Sequence, residues 1–517
     1  MQEQESIKIW FKGMTIFVQE LINAGWVSEF QGKEIEFEMI QSDTRQIKKG
    51  DIFFAFDGGK FRGVDFVQDA IIKGVSAIFI DKKYIKQLFF DKPDLLNFPV
   101  FFGEPFTDLA GKTLALLYGN PCEKIQTIGI TGTNGKTSIA YNIKRVLQKI
   151  GKKSFYMGTL GVITDGAVID LGMTTPPLTD VYRYLNEARQ GDCEFAAIEA
   201  SSHGLQQNRL NSIAWSAAVF TNLTRDHLDY HVNMENYFDA KKILFFDILR
   251  VWKENPSQVK GVVINIDDIY GGKLAEFIKN ENPDFPLITL GKGGVAQLIN
   301  VEPLWNGYRA DLTIDGETIK LRSKVIGSFS IWNQAVVYLI LRLFDIDKEK
   351  LLEAIEGLEN VPGRMEIYPC GSGYAVIDYA HTPDALYKAL ETLKELKPSA
   401  IKVVFGCGGD RDRTKREPMG KIASDLADEI ILTNDNPRSE NPELIISEIK
   451  QGIKNVHSKV ILDRESAIRT ALSGLLKDEV LLIAGKGHEN YQIIGKEKKY
   501  FSDKDVVLKF VKEQTDE

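Results

Sequence analysis

A glycine-rich segment between a predicted strand and a predicted helix carries the clearest chemical signal in the sequence. It reads Gly129-Ile-Thr-Gly-Thr-Asn-Gly-Lys-Thr137. Glycines let backbone N–H groups close around phosphate oxygens, and the start of the following helix adds the positive end of its dipole. In such loops the lysine, here Lys136, reaches the β- and γ-phosphates, and the hydroxyl of Thr137 binds Mg²⁺. Although its glycine spacing departs from the strict P-loop, the segment predicts a nucleoside triphosphate site, but it leaves the reaction open.

Charged side chains also follow other predicted strands. Glu199 ends the apolar run FAAIEA, Gly-Gly-Asp-Arg-Asp at 408–412 follows IKVVFG, and Asp-Asn-Pro-Arg at 435–438 follows EIILT. Ligands of parallel sheets sit at the carboxyl ends of the strands, so we expect the chemistry in these loops. Taken alone, a glutamate at a strand end is more often only solvated.

The pattern of apolar runs predicts an α/β protein of three domains, as its length also suggests. Residues 1–122 combine short runs (DIFFAF, AIFI, FPVFF) with Gly and Asp turns and look like a small α/β domain. Residues 123–357 alternate strands with helices, which predicts a doubly wound parallel sheet carrying the phosphate loop. The Gly- and Pro-containing segment GLENVPGRME marks a boundary, and residues 358–517 predict a second, Rossmann-like α/β domain.

Composition limits the function classes. The chain has 517 residues, 44% hydrophobic and 26% charged, with a net charge of −8, which argues against a general nucleic-acid binder. No apolar run approaches the roughly 20 residues that cross a bilayer. The first residues do not resemble a secretory signal, and the four cysteines are scattered. We therefore expect a cytoplasmic protein with free thiols and no membrane partner.

The motifs occur together in the order and spacing of one family. They are TGTNGKT at 131–137, Ser-Asp-Thr-Arg at 42–45, Met-Thr-Thr-Pro-Pro at 173–177, Glu-Ala-Ser-Ser-His-Gly-Leu at 199–205, Thr-Asn-Leu-Thr-Arg-Asp-His-Leu-Asp-Tyr-His at 221–231, Met-Glu-Asn-Tyr-Phe-Asp-Ala-Lys at 234–241, Pro-Gly-Arg-Met-Glu at 362–366, Asp-Tyr-Ala-His-Thr-Pro at 378–383, Gly-Cys-Gly-Gly-Asp-Arg-Asp at 406–412, Asp-Asn-Pro-Arg at 435–438 and Gly-Lys-Gly-His-Glu at 485–489. Over nearly its whole length the sequence resembles the Mur ligase family, and within it the diaminopimelate-adding branch.

This resemblance implies a reaction and its catalytic residues. ATP would phosphorylate the D-Glu carboxylate of UDP-MurNAc-L-Ala-D-Glu, and the amine of meso-diaminopimelate would attack the acyl-phosphate, a step of peptidoglycan synthesis. The implied catalytic residues are Lys136, Glu199, His227 and Lys241. Thr137, Glu199, His227 and Lys241 would hold two Mg²⁺ ions, with Lys241 converted by CO₂ to an N6-carboxylysine. Without the resemblance, Lys241 would be read as a solvated helix residue and His227 as structural. The neighbouring Lys242 is expected to be a surface lysine.

The resemblance also implies three sets of binding residues. Those for ATP are Gly132, Thr133, Asn134, Gly135, Lys136, Thr137, Ser138, Asn333, Arg364 and Asp378. Those for UDP-MurNAc-dipeptide are Thr44, Thr174, Thr175, Ser201, Gln207 and Arg209. Those for diaminopimelate are Arg411, Asp435, Asn436, Pro437, Arg438, Gly485 and Glu489. Arg438 and Arg411 would bind the distal carboxylate, for which the planar guanidinium is suited, and Glu489 the distal ammonium. The alternative for Arg438 is a structural cap of the turn after Pro437.

Other functions stay open at this point. The same chemistry serves lysine-adding muramyl ligases and folylpolyglutamate synthases, although the latter do not explain the Ser-Asp-Thr-Arg segment. A nucleotide-binding switch protein that has lost ligation is an alternative from a different class, against which the intact Lys136, Glu199, His227 and Lys241 argue. The expected ligands are ATP, UDP-MurNAc-dipeptide and meso-diaminopimelate, and the expected state is a monomer.

Overall fold

The computed structural model of the protein describes residues 14–28, 30–58, 61–91, 98–164, 166–304, 307–325, 327–454 and 456–515. Residues 1–13, for which the sequence predicted no secretory signal, lie outside this range. The described chain forms two compact units, each built from several segments. Unit 1 draws on Met1–Gly129, Lys152–Ala217 and Ala240–Val259, and unit 2 on Ile130–Gly151, Ala218–Asp239 and Lys260–Glu517.

Helices and strands alternate along most of the chain. The first part has β1 Met14–Phe17, α1 Val18–Asn23, β2 Glu34–Phe37, β3 Ile40–Gln41, β4 Ile52–Ala55, α2 Val67–Ile72, β5 Ala77–Asp81, α3 Ile85–Asp91, β6 Val100–Gly103, α4 Phe106–Leu117 and β7 Gln126–Thr131. Next come α5 Lys136–Lys149, β8 Ser154–Gly158, β9 Gly161–Ile163, β10 Val168–Ile169, α6 Leu178–Gln190, β11 Phe195–Glu199, α7 Ser202–Gln206, β12 Ala217–Phe220, α8 Leu228–His231 and α9 Met234–Glu254.

The second half of the chain continues with strands that end in a last α/β series. Its elements are β13 Gly261–Asn265, α10 Ile269–Glu281, β14 Leu287–Leu290, β15 Ala296–Leu304, β16 Gly307–Ile314, β17 Glu317–Ser323, α11 Ser328–Arg342 and α12 Lys348–Glu356. The last part has β18 Glu366–Cys370, β19 Gly373–Asp378, α13 Pro383–Glu395, β20 Ile401–Phe405, α14 Arg416–Leu426, β21 Glu429–Leu432, α15 Pro442–Lys450, β22 His457–Val460, α16 Arg464–Ser473, β23 Val480–Ala484, β24 Tyr491–Ile494, β25 Glu497–Tyr500 and α17 Asp503–Thr515. The α/β fold class expected from the sequence is confirmed.

Unit 1 contains a small parallel sheet of order β3-β4-β5-β6. Strands β4 and β6 are buried along their whole length, as is usual for parallel strands covered on both faces. Aromatic side chains fill the core on one face, where Phe54 stacks on Phe79 at 4.5 Å and Trp26 meets Phe79 edge-on at 4.9 Å. The apolar runs DIFFAF, AIFI and FPVFF, which were expected to belong to a small α/β domain, contribute strands β4, β5 and β6.

Unit 1 also contains strands in the order β10-β9-β8-β11-β7. β8 and β11 are parallel, with Ile198 of β11 opposite Met157 of β8. Every residue of β11 is buried, up to Glu199 at its carboxyl end. The apolar strand β11 thus ends in the buried carboxylate of Glu199 at the edge of the sheet.

Unit 2 has strands in the order β12-β13-β14-β15-β16-β17. β13 and β14 are parallel, but β15, β16 and β17 form an antiparallel meander that the strand–helix alternation did not predict. The sequence did carry a signal for it. An Asp-Gly turn, with Asp315 and Gly316 both at positive φ, joins β16 to β17, and β17 alternates exposed and buried residues.

The last sheet of unit 2 has the order β18-β19-β23-β20-β21-β22 and is parallel except for β18. Successive residues of β23 point to opposite faces, with Leu482 in one apolar core and Leu481 and Ile483 in the other. Apolar cores on both faces of a mostly parallel sheet agree with the Rossmann-like α/β fold expected for the last part of the chain. Among the described residues, no helix is long and apolar enough to cross a membrane.

Candidate active site

The phosphate loop is held in shape by its own glycines and by the segment after β12. Gly132 has φ +140°, and a Cβ there would lie 1.9 Å from Thr221 Oγ1, so a side chain does not fit. Thr133 N donates to Asn222 O at 2.8 Å, and Asn134 N donates to Asn222 Oδ1 at 3.0 Å. These contacts fix the backbone before a ligand arrives, which lowers the entropic cost of binding phosphate.

The reactive side chains of the loop lie at the start of α5. Lys136 Nζ curls back over the loop and donates to Gly132 O at 2.9 Å and Thr133 O at 2.8 Å. Thr137 is buried and its hydroxyl accepts from Arg364 Nη2 at 3.3 Å, while Ser138 is half-buried in the first turn. The predicted phosphate-binding residues thus form one surface, with an ammonium group placed among the loop carbonyls.

Three ATP-binding residues predicted outside the loop lie close to it or to each other. Asn333 is buried, and its Oδ1 lies 3.0 Å from the position of a Cβ on Gly135. Arg364, besides its bond to Thr137, lies over the Tyr379 ring at 4.7 Å, and its Nε is buried without a hydrogen-bond partner among the described residues. Asp378 accepts from Met365 N at 2.9 Å, and burial raises its pKa, against the opposing effect of Arg364.

A second group of charged residues faces a cavity of about 200 Å³ in unit 2. Asp226, Asp384 and Lys415 line it. Asp384 Oδ2 accepts from Asn134 Nδ2 of the phosphate loop at 2.7 Å, so the cavity adjoins the loop. None of these three residues was predicted from the sequence as a site residue, although Asp226 and Asp384 lie within or directly beside the family motifs.

The charges in and around this cavity favour a charged Asp226 and a neutral His381. Burial raises the pKa of Asp226, but His227, His381 and Lys415 are among the groups that outweigh it, so the pKa lies below its ordinary value. Burial, followed by Lys415, lowers the pKa of His381 to about 4. His227 has φ 54°, its side chain is 44% exposed, and its Nε2 lies 3.4 Å from Asp226 Oδ2. His227 is therefore accessible to a ligand.

In unit 1, Glu199 is wholly buried and is held by several donors. Tyr156 OH and Thr159 N donate to Oε1, the latter at 3.0 Å, and Thr159 Oγ1 donates to Oε2 at 3.1 Å. Thr159 Oγ1 also lies 3.1 Å from Thr174 Oγ1, which links Glu199 to the predicted substrate residues. The solvated glutamate that a strand end usually carries is thus excluded.

Four of the predicted UDP-MurNAc-dipeptide residues form a hydrogen-bonded group with Glu199. Thr175 Oγ1 donates to Glu199 O at 2.9 Å and accepts from Ser201 Oγ at 2.9 Å. Arg209 Nη1 donates to Thr175 O at 2.7 Å and its Nη2 to Gln207 Oε1 at 2.5 Å. Ser201 also caps α7 by accepting from Gly204 N at 3.0 Å.

Thr44 lies elsewhere in unit 1 and has different contacts. It is buried, and its carbonyl accepts from Lys73 Nζ at 2.8 Å. The neighbouring Ser42 Oγ is 3.0 Å from Thr179 Oγ1 on α6. No hydrogen bond of the described residues joins Thr44 directly to Thr174, Thr175, Ser201, Gln207 or Arg209, so the structure does not bring it into that group by direct contact.

Lys241 is buried in the middle of α9, with 1% of its surface exposed. The solvated helix position that its sequence context suggests is therefore wrong. Lys242 is half-buried, its ammonium 5.4 Å above the Phe246 ring, so it is not a plain surface lysine either. A carbamate at Lys241 would replace its cationic end with an anionic oxygen ligand of the kind a metal ion binds.

The described residues contain no group of three or more His, Cys, Asp or Glu side chains arranged to hold a metal ion. Magnesium does not require such a group, because it is usually bound through one or two carboxylates with substrate phosphates and water. Glu199, the Thr137 hydroxyl and a carbamate at Lys241 supply oxygen atoms of the kind Mg²⁺ prefers. The donor chemistry of these residues therefore fits the implied metal, whereas His227 would be an unusual partner for it.

The predicted diaminopimelate residues meet at the carboxyl edge of the last sheet. Arg438 has φ 52° and is half-buried, and its Nη1 donates to Gly409 O at 2.7 Å. A Cβ on Gly408 would lie 2.9 Å from Arg438 Nη1 and 3.8 Å from Arg411 Cγ, so both arginines flank Gly408. Burial, followed by Arg411, lowers the pKa of Arg438. Within the described chain, neither arginine forms an ion pair with an acidic side chain.

The other members of this cluster are tied together around Asn436. Its Nδ2 donates to Glu489 Oε2 at 3.0 Å, and its Oδ1 accepts from Lys486 Nζ at 3.3 Å. Lys486 Nζ also donates to Glu489 Oε2 at 3.0 Å. Asp435 lies against Gly485, where a Cβ would be 2.7 Å from its Oδ2, and Pro437 is buried beside them. The sequence predicted every member except Lys486, which is 0% exposed.

The chain matches three Mur ligase models in chain order. The model of the Mur ligase family catalytic domain matches residues 36–95, that of the Mur ligase middle domain 130–341, and that of the glutamate ligase domain 363–487. The sequence is 37% identical over 490 residues to UDP-N-acetylmuramoyl-L-alanyl-D-glutamate–2,6-diaminopimelate ligase of Haemophilus influenzae (strain PittEE), covering 93% of this chain and 97% of that one. It is 38% identical over 479 residues to the ligase of the same name from Neisseria meningitidis, covering 91% and 94%.

Solved structures agree with this match. A structure of UDP-N-acetylmuramoyl-L-alanyl-D-glutamate–2,6-diaminopimelate ligase superposes with a TM-score of 0.64 at 29% identity, covering 93% of this chain and 95% of that one. Folylpolyglutamate synthase of Mycobacterium tuberculosis, complexed with ADP and AMPPCP, has a TM-score of 0.59 at 17% identity and covers 72% of this chain and 91% of its own, a likeness of fold alone. On the three domain models and the relatives above 30% identity, this chain belongs to the Mur ligase family.

Proposed function

We propose that the protein ligates meso-2,6-diaminopimelate to UDP-N-acetylmuramoyl-L-alanyl-D-glutamate at the expense of ATP, in the cytoplasm, during peptidoglycan synthesis. The observation that carries the choice of amino acid is the pair Arg438 and Arg411. Both flank Gly408 at one sheet edge without an ion pair to an acidic side chain among the described residues, and Glu489 is one of the charges that act on the pKa of Arg438. Diaminopimelate has a distal carboxylate for the arginines and a distal ammonium for Glu489, whereas lysine has only the ammonium.

The first chemical step is phosphoryl transfer to the D-Glu carboxylate. The loop backbone and Lys136 hold the triphosphate, and Arg364, with a buried Nε that lacks a partner in the described chain, supplies a further donor for phosphate or ribose oxygens. Lys136 leaves its loop carbonyls to follow the γ-phosphate as negative charge builds up on it. When bound, Mg²⁺ at Thr137, Glu199, His227 and a carbamylated Lys241 would offset the repulsion between the two anions.

The second step forms the amide bond. The free amine of diaminopimelate attacks the acyl carbon, the tetrahedral adduct collapses, the C–O bond to phosphate breaks, and the amine loses a proton. Thr174, Thr175, Ser201, Gln207 and Arg209 are proposed to orient the dipeptide near Glu199, and Thr44 the uridine end. Specific binding of all three substrates makes the second step effectively unimolecular, which supplies much of the rate.

We further propose that three domains divide this work: residues 1–122 bind the UDP-sugar, 123–357 bind ATP and 358–517 bind the amino acid, in a monomer. The matched ranges 36–95, 130–341 and 363–487 each fall within one of these spans, which supports the division. The first of these ranges contains the Ser-Asp-Thr-Arg segment at 42–45, which a folylpolyglutamate synthase does not explain.

Phosphate release measured with UDP-MurNAc-L-Ala-D-Glu, ATP and either meso-diaminopimelate or L-lysine tests the proposal. We expect turnover with diaminopimelate and a kcat/KM for lysine lower by about a hundredfold or more, because the two arginines stay unpaired with lysine. A preference for lysine would overturn the amino-acid assignment. No turnover with either amino acid, in a protein that still binds ATP, would favour the nucleotide-binding switch.

A further inference from the structure

We propose that Lys486 is a positioning residue that sets the selectivity for the distal amine of the amino-acid substrate, an inference that rests on the proposed function. Lys486 follows the buried strand β23, separated from it by Gly485, and is wholly buried. It makes no contact with solvent and has no role in the phosphate or dipeptide sites described above. A lysine in such a place requires partners that compensate for the loss of water around its ammonium.

The backbone on both sides of Lys486 directs this side chain inward. Gly485 has φ +114° and Gly487 has φ +52°. A Cβ on Gly487 would lie 2.7 Å from Gly363 O and 2.8 Å from Tyr379 Cβ, so the turn packs tightly against the segments around residues 363 and 379. Since the turn has no room to relax, the ammonium of Lys486 stays below the surface that carries Glu489.

The two carboxylate oxygens of Glu489 differ in their hydrogen bonds, partly because of the Lys486 ammonium. Its Oε2 accepts from both Lys486 Nζ and Asn436 Nδ2, each at 3.0 Å. Its Oε1 takes no hydrogen bond from the described residues, and 14% of its side chain is exposed. The protein therefore fixes one carboxylate oxygen through two hydrogen bonds and makes none to the other among the described residues, which leaves that oxygen for the substrate amine.

Lys486 also couples Glu489 to the loop that carries Arg438. It donates to Asn436 Oδ1 at 3.3 Å, and the same oxygen accepts from Ile493 N at 2.9 Å. Asn436 O in turn accepts from Gly409 N at 2.9 Å. The ammonium thereby sets the spacing between the group that would bind the distal amine and the groups that would bind the distal carboxylate.

The test is to replace Lys486 with methionine, which has similar length and no charge. Lys498→Met is the matched control, because the ammonium of Lys498 lies over the same Tyr491 ring, at 4.0 Å against 5.4 Å for Lys486, but within the described chain it bonds to neither Glu489 nor Asn436. KM and kcat are measured for each substrate, with meso-diaminopimelate compared with 2-aminopimelate. This analogue keeps the distal carboxylate and lacks the distal amine, so it does not use Glu489.

We expect Lys486→Met to raise KM for diaminopimelate about 10- to 100-fold, the effect of losing a hydrogen bond to a charged group. KM for 2-aminopimelate, for ATP and for the UDP-dipeptide should stay within about twofold, so that the preference for diaminopimelate over the analogue falls. Equal losses for the two amino acids would show a merely structural role and overturn the proposal.

If thermal unfolding shows that Lys486→Met is not folded, Lys486→Gln replaces it, because glutamine keeps a hydrogen-bond donor for Glu489 but not the charge. We expect a smaller rise in KM for diaminopimelate and the same loss of preference over 2-aminopimelate. An unchanged ratio of the two KM values would overturn the proposal. The wild type separates the two hypotheses: failure to use diaminopimelate at all would reject the proposed function, whereas normal use with unchanged selectivity in both variants rejects only the role of Lys486.

Discussion

The phosphate loop and the amino-acid cluster around Asn436 are built in opposite ways. The loop is one stretch of chain whose shape comes from glycines at positive φ and from main-chain hydrogen bonds such as Thr133 N to Asn222 O. The cluster takes its side chains from the loops after β20, β21 and β23, and these side chains hold one another. Main-chain sites bind any ligand with phosphates, whereas a cluster of side chains can distinguish amino acids that differ by a carboxylate.

The largest expected effect is a loss of kcat on removing Lys136, whose positive charge the backbone of the loop cannot supply. Lys136→Ala should lower kcat by about 10³-fold or more, because the γ-phosphate loses its cation as charge develops in transfer. The measurement is phosphate release at saturating substrates. Lys149→Ala, at the exposed end of the same helix, is the control and should stay near wild type. Near-normal turnover of Lys136→Ala would reject the assignment of the loop.

Lys241 is a single buried side chain that belongs neither to the phosphate loop nor to the amino-acid cluster around Asn436. Lys241→Ala should lose about 10³-fold in kcat and recover part of it in added short carboxylic acids, which can occupy the vacated position of the carbamate. Lys242→Ala should do neither. Mass spectrometry or a structure showing an unmodified ammonium beside bound metal would contradict the carbamate, as would full activity of Lys241→Ala.

Arg438→Ala tests whether side chains confer the selectivity of the cluster. Leaving a substrate carboxylate unpaired should cost about 3 kcal/mol, or about a hundredfold in kcat/KM for diaminopimelate. Lysine has no such carboxylate and should lose far less, so the gap between the two amino acids should narrow. Arg469→Ala is the control, because Arg469 forms its ion pairs on helices α16 and α17, with Glu465 and Glu513, and not in the amino-acid cluster. Equal losses would mean that Arg438 only holds its turn through Gly409 O.

The smallest expected effect is on KM for ATP, and it tests whether a side chain outside the loop helps the main chain of the loop to bind phosphate. Asp384 accepts from the Asn134 side chain, so it supports the loop from outside. Asp384→Ala should raise KM for ATP about tenfold, the value of one hydrogen bond to a charged group, and leave KM for diaminopimelate unchanged. Lys388→Ala, which removes a different partner of Asp384, should have little effect. An unchanged KM for ATP would show that the loop needs no such support.

Local sequence determined much of this protein. Strand β7, the glycine turn and helix α5 follow from residues adjacent in the chain, because apolar runs, turn glycines and helix starts act over a few residues. The same holds for β4, β11, β20, β21 and β23 and for the loops that end them. In those loops the motifs alone place Arg411, Asn436, Arg438 and Glu489 at carboxyl ends of strands.

Only the tertiary structure decided the rest, because it depends on residues far apart in the chain. The burial of Lys241 could not be read from AKKILFF, since helical periodicity alone does not say which neighbours cover a face. The antiparallel meander β15–β17 replaced an expected parallel arrangement, although its Asp-Gly turn was visible. In the sequence, Lys486 is one lysine between two glycines, and nothing there distinguishes it. Its proposed role depends on hydrogen bonds to Asn436 and Glu489, which only the fold brings beside it. Sequence spacing carries no information about such partners.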